Sequence, residues 1–196
     1  MKIRSAFPSL RGPVPLAHFI LRQMIAPGDK AIDACCGNGN DTVLLAELVG
    51  PTGHVWGFDI QALAIEKTAA RLVAAGITDS RVSLIKCGHE TMPTHIDQPV
   101  RAVVFNLGYL PGSDHQLITR PETTLSALQY AYKLLLPGGI ITVAVYTGHC
   151  GGLEEQQVIE TWCAAIPARE ASIWRMGQAN VSADAPYLLL IQKAVQ

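Results

Sequence analysis

The sequence predicts one α/β domain, with a mostly parallel seven-stranded sheet, helices on both faces and an antiparallel hairpin at the C-terminal end. Three observations lead there. Short apolar runs alternate along the chain with stretches of helical spacing. Most of those runs are continuous blocks, as expected of strands covered on both faces. The last two runs, residues 172–175 and 187–194, read as a pair of late strands at one edge of the sheet.

Each element follows from local signals. Residues 16–24 form a short helix that packs on or covers the site, within an N-terminal cover segment over residues 1–27 of a single domain spanning 1–196. Residues 30–36 are a strand entering a Gly-rich turn. Residues 41–48 have helical spacing and stop at Gly50-Pro51. Residues 54–59 are the second strand. Residues 61–75 are Ala-rich with apolar positions at i, i+3 and i+4, ending at Gly76. Residues 81–86 alternate as a third strand, and residues 101–105 are a fourth that runs into Asn106 and a loop. Pro121 opens a helix over residues 121–136, and Pro137-Gly138-Gly139 closes it. Residues 140–146, dense in β-branched side chains, are the fifth strand, and residues 151–166 the next helix.

Composition narrows the function. A chain of 196 residues, 49% hydrophobic, suits one compact domain. Charged residues are 16% and the net charge is −1, which neither announces nor excludes a nucleic-acid binder, because a local basic patch can hide in a neutral total. Cys35, Cys36, Cys87, Cys150 and Cys163 are odd in number and lack paired spacing, so they predict neither a disulfide framework nor a metal site. Phe7-Pro8 and Gly12-Pro13 interrupt any signal-peptide core, and the run over residues 140–146 is far too short to span a bilayer. The expectation is a soluble, cytoplasmic protein with no membrane partner.

The first strand delivers Asp33-Ala-Cys-Cys-Gly37-Asn38-Gly39-Asn-Asp41-Thr42. Glycines at a strand-to-helix turn let the backbone approach a ligand where an open parallel sheet binds nucleotides. A dinucleotide site needs G-x-G-x-x-G, and here Thr42 stands in the third position. The segment instead resembles motif I of class I methyltransferases, which implies that Asp33 orients the amino group of S-adenosyl-L-methionine (SAM), directly or through water. A carboxylate there suits a cationic cofactor and would repel a pyrophosphate. Asp59 ends the second strand, where an acid can accept both ribose hydroxyls in SAM and NAD sites alike. Asn38, Asp41 and Thr42, with Ile60 and Gln61 after Asp59 and Asn106 after the fourth strand, complete the expected cofactor contacts. After the third strand, His89 or Glu90 is placed to hydrogen-bond the adenine.

Asn106-Leu107-Gly108-Tyr109 ends the fourth strand and resembles the (Asn/Asp/Ser)-Pro-Pro-(Tyr/Phe) motif of amino methyltransferases, with Leu-Gly replacing Pro-Pro. Methyl transfer needs a nitrogen lone pair aimed at the sulfonium methyl. The Asn106 carbonyl can accept an amine N–H and aim that lone pair, and the Tyr109 ring can bound the pocket.

Together, A-I-D-A-C-C-G-N-G-N-D-T, G-H-V-W-G-F-D-I-Q, N-L-G-Y-L-P-G-S-D-H and Y-T-G-H-C-G-G-L-E-E resemble the bacterial and plant family labelled rRNA methylases, with members assigned as tRNA methyltransferases of wobble 5-methylaminomethyl-2-thiouridine. The resemblance runs from about Leu16 to Lys193. It implies a Rossmann-like class I methyltransferase fold, SAM as cofactor, the anticodon region of tRNA as partner and the exocyclic amine of 5-aminomethyl-(2-thio)uridine as methyl acceptor. Cys35-Cys36, His115 and Cys150 depart from residues common in the family. An alkylamine has a pKa near the ~10.4 of lysine, so a proton must leave it, and Asp114, His115 and His149 are the candidate acceptors. Arg4, Arg11, Arg22, Arg120 and Arg175 are scattered and map no RNA groove. A homodimer is compatible with the chain. An rRNA or small-molecule amine methyltransferase, and a noncatalytic SAM-binding module, are the alternatives on the same fold.

Overall fold

The computed structural model describes residues 9–78, 80–108, 119–148 and 151–195. Helix α1 (Pro13–Met24) leads into strand β1 (Lys30–Asp33), helix α2 (Asn40–Val49), strand β2 (His54–Phe58), helix α3 (Ala62–Ala74) and strand β3 (Val82–Ile85). A 3₁₀ helix over His89–Thr94 precedes strand β4 (Val100–Asn106), helix α4 (Pro121–Leu134), strand β5 (Leu135–Val145), helix α5 (Gly152–Ala165), and strands β6 (Ala171–Met176) and β7 (Tyr187–Lys193).

The seven strands form one sheet in the order β3-β2-β1-β4-β5-β7-β6. The first five run parallel, while β7 is antiparallel to both β5 and β6. This is the expected mixed sheet with its terminal hairpin. Strand order reverses between β1 and β4, and ligands of open α/β sheets bind beyond the carboxyl ends of the strands at such a reversal. Asp33 and Asn106 are the last residues of those two strands.

Alternation along the strands divides the core. Ala31, Val55, Val104 and Ile140 pack with Leu21, Leu44, Leu45 and Val49 from α1 and α2. Ile32, Val103, Phe105, Ile141 and Val143 pack with Leu128 and Ile159 from α4 and α5. The central strands β1, β4 and β5 thus bury both faces, which is why their sequences read as continuous apolar blocks. Among the described residues no helix is long and apolar enough to cross a membrane.

Most boundaries fall within one residue of the sequence reading, and four features differ by more. Helix α1 begins at Pro13 rather than residue 16, because proline suits the first helical turn, where its missing N–H is not needed. Strand β1 stops at Asp33 rather than residue 36, where the Asp33 carboxylate captures the Cys35 N–H at 3.2 Å and turns the chain. The turn after β3 coils into the 3₁₀ helix. Pro137-Gly138-Gly139 does not separate a helix from a strand. Helix α4 passes directly into β5, with Leu135 paired to Val100 and the register shifting between Val100 and Ala102. Gly138, at φ +73, absorbs that irregularity.

Candidate functional site

A cavity of about 770 Å³ opens at the carboxyl ends of β1 and β4. Its size is that of a small-molecule site. The floor is the loop between β1 and α2, in which Gly37 and Gly39 take positive φ. A β-carbon on Gly39 would stand 2.9 Å from the Thr68 backbone of α3, so helix packing as well as dihedral demands glycine there.

Asp33 laces this loop from behind. It is fully buried, and its second carboxylate oxygen accepts from the Thr42 hydroxyl at 2.5 Å. Burial, and then the nearby Asp41 charge, pushes its carboxyl up from 3.8 to about 7. Asp33, Gly39 and Thr42 shape the cavity without lining it, whereas Gly37, Asn38, Asp41, Asp59, Ile60, Gln61, His89, Glu90 and Asn106 all line it. The structure therefore brings the sequence-predicted cofactor residues to one place, with three of them in the supporting layer.

Asp59, just past β2, accepts from the Gly37 N–H at 3.0 Å and the Gln61 N–H at 2.9 Å. These bonds spread its carboxylate across the cavity floor. His89 is nearly buried; its Nδ1 lies 3.3 Å from the Ala34 carbonyl. A carbonyl only accepts, so Nδ1 carries the proton there. Burial lowers the His89 pKa, which keeps the ring neutral at neutral pH. Glu90 folds its carboxylate back over Gly88. Of these two residues, Glu90 is the more accessible and His89 the more constrained.

The opposite wall is built from β4. Asn106 donates its side-chain amide to Asp41 Oδ2 at 3.3 Å, and Asp41 Oδ1 meets His18 Nε2 of α1 at 2.5 Å. Tyr146 lines the same wall; burial, then the Asp41 charge, raises its hydroxyl pKa. Tyr109, Asp114, His115 and His149 lie outside the described residues.

Sequence reasoning missed three features. Glu155 of α5 is buried and accepts from Thr119 Oγ1 at 2.8 Å and Thr124 Oγ1 at 2.6 Å. Thr119 in turn bonds Gly108 through both backbone and side chain, so Glu155 anchors the far end of the loop that follows β4. Tyr146, and Asp184 with Pro186 from the connection between β6 and β7, also reach the cavity. The His18–Asp41 pairing was the third omission. A weak signal existed for Glu155, since buried Gly152, Glu155, Ile159 and Cys163 share the inward face of α5.

A family model described as "Putative rRNA methylase" matches residues 55–192. A chloroplastic tRNA (mnm(5)s(2)U34)-methyltransferase of Arabidopsis thaliana is 43% identical over 164 residues, which are 79% of this chain. The chain spans about 60% of the length of that plant relative. A structure described as a "putative rRNA-methylase" from Clostridium thermocellum matches with a TM-score of 0.90 at 43% identity, covering 94% of this chain and 99% of that one. One described as a "putative methyltransferase" from Streptococcus mutans in complex with SAH matches with a TM-score of 0.84 at 34% identity, covering 94% and 99%. With most of its length inside the family model and a solved structure of that description superposing at 43% identity, the chain belongs to the rRNA methylase family of class I SAM-dependent methyltransferases.

Proposed function

We propose that this protein transfers a methyl group from SAM to the exocyclic amine of 5-aminomethyl-(2-thio)uridine at the wobble position of tRNA. The residues present fit the cofactor. Asp59 lines the cavity and Asp33 lies behind it, an acidic surround that favours a sulfonium and an ammonium and disfavours a pyrophosphate. Asp59 stands ready for ribose hydroxyls, and Ile60, Gln61 and Glu90 for the base. SAM, when bound, supplies an electrophilic methyl on a positive sulfur.

The observation that carries the amine reading is Asn106. It ends β4, lines the cavity, and commits its amide nitrogen to Asp41, so its carbonyl is the group turned away from that carboxylate. A carbonyl accepts an amine N–H and aims the nitrogen lone pair without adding a charge that would favour the unreactive ammonium. In the same reading Tyr109 bounds the pocket, and Asp114 or His149 takes the proton the amine must lose. The names of the plant and clostridial relatives support an RNA target, and the plant name supports a wobble uridine. We assign the reaction to the cytoplasm, with the tRNA anticodon region as partner.

Single-turnover methyl transfer at saturating SAM tests the assignment. Asn106→Ala is expected to fold, to bind S-adenosylhomocysteine (SAH) like wild type, and to methylate aminomethyl-uridine tRNA about a hundredfold more slowly, the scale of one lost transition-state hydrogen bond. A rate within about threefold of wild type would place the amine elsewhere.

A further inference from the structure

Three elements distant in sequence converge under the acceptor wall. Asp41 lies in the first turn of α2, His18 projects from the middle of α1, and Asn106 ends β4. The Asp41 side chain is 7% exposed, and its two oxygens are divided: Oδ1 to His18 Nε2, Oδ2 to Asn106 Nδ2. An ionised carboxylate only accepts, so it selects the nitrogen end of the Asn106 amide. The other end, Oδ1, is then turned away from Asp41. A second space of about 10 Å³ lies beneath this junction, lined by Val14 and Ala17 of α1 together with Asp41, Asn106 and Thr142. Helix α1 thus closes the polar junction against the sheet.

We propose that Asp41, held by His18 of the cover helix, is the positioning residue for Asn106: it dictates which end of the amide faces the methyl acceptor and so sets the reactive orientation of the amine. Without Asp41 the amide is free to turn over and present N–H groups, which cannot accept from an amine and which compete for its lone pair. His18 secures the arrangement by occupying the second carboxylate oxygen. Helix α1 is therefore coupled to the acceptor site, and Asp41 serves that end of the cavity rather than the cofactor. This inference rests on the amine reading of Asn106.

The test combines a spectroscopic measurement that needs no substrate with a kinetic one. Side-chain ¹H–¹⁵N resonances of Asn106, assigned by comparison with Asn106→Ala, report its bond to Asp41. They are expected to shift strongly in Asp41→Ala and only slightly in Asp41→Asn, whose amide oxygen can still accept. In single-turnover reactions Asp41→Ala should lose about thirtyfold to a hundredfold in methyl transfer, with SAH affinity within about threefold of wild type, as expected of misorientation. Asp41→Asn should recover most of that loss. In an Asn106→Ala background, Asp41→Ala should cost no more than about a further threefold, because its partner is already gone.

Equal losses in both backgrounds, or a parallel loss of SAH affinity, would overturn the positioning role. So would an Asn106 signal indifferent to residue 41. Should Asp41→Ala not fold, the decision passes to Asp41→Asn and His18→Ala: His18→Ala must disturb the Asn106 resonance and slow transfer, and silence in both readouts rejects the proposal. A wild-type protein that leaves aminomethyl-uridine tRNA unmethylated would reject the amine reading instead, and the resonance measurement would still decide whether Asp41 orients Asn106.

Discussion

Asp33 shows how a residue can govern a site it does not line. Its carboxyl is held by Thr42 and the Cys35 N–H, yet burial and the Asp41 charge still push its pKa from 3.8 to about 7. Between those values the unfolded chain is ionised while the folded chain keeps the proton. The stability this group contributes is therefore fully present below about pH 4 and is lost as pH rises to about 7. Asp33→Asn, which cannot ionise, should gain on wild type in urea unfolding as pH rises across that window and hold a constant difference above it. A difference that ignores pH would mean Asp33 is ionised throughout. A cationic ligand nearby should draw the proton off, so SAM binding by wild type should tighten as pH rises towards 7 and the dependence should vanish in Asp33→Asn. The sequence announced Asp33 by its distance from Gly37, but its confinement behind the loop was illegible, because Thr42 becomes its partner only once the loop has closed.

At the scale of elements, the site depends on how tightly helices press on the Gly-rich loop. Thr68 is buried on α3, its hydroxyl 3.4 Å from the Gly37 carbonyl and its backbone against Gly39. Gly76, past the end of α3, has a similar φ of +73 but open space around it. The pair separates two effects of glycine. Gly76→Ala should cost about 1–2 kcal/mol for the left-handed backbone alone. Gly39→Ala meets the same backbone penalty and also forces α3 away, adding about 1–3 kcal/mol of overpacking, and it should weaken SAH binding as well. Urea unfolding with calorimetry distinguishes them; equal losses at both positions would show that α3 yields without consequence.

Most elements were readable because apolar spacing is a local property. The Pro137-Gly138-Gly139 segment was not. Read locally it is a break, but pairing of Leu135 with Val100 draws it into β5 as an irregular stretch. Tertiary hydrogen bonds decided what punctuation residues alone could not. Helix α5 carries the same lesson in its side chains. The position of Glu155 on the inward face followed from spacing, whereas its bonds to Thr119 and Thr124 come from a helix and a loop more than thirty residues away.

For the whole molecule, the reversal of strand order between β1 and β4 is the organising fact. It brings the Gly-rich loop and Asn106 to one crevice from positions some seventy residues apart, as Asp33 and Val104 pair directly across it. The topology was legible because strand–helix alternation leaves few right-handed, unknotted arrangements. The cofactor end was legible because its residues are neighbours in sequence. Among the described residues the acceptor end was legible at Asn106; Asp41, His18 and Tyr146 converge on it through the packing of α1, α2 and β5. The account stands on what that crevice does to RNA. Nucleoside mass spectrometry of tRNA carrying 5-aminomethyl-2-thiouridine, incubated with the protein and methyl-labelled SAM, addresses it directly. The prediction is one labelled methyl on the exocyclic nitrogen of the wobble nucleoside, with conversion of 5-aminomethyl- to 5-methylaminomethyl-2-thiouridine. No label, or label on a base or ribose of the tRNA with the aminomethyl nucleoside unchanged, would contradict it.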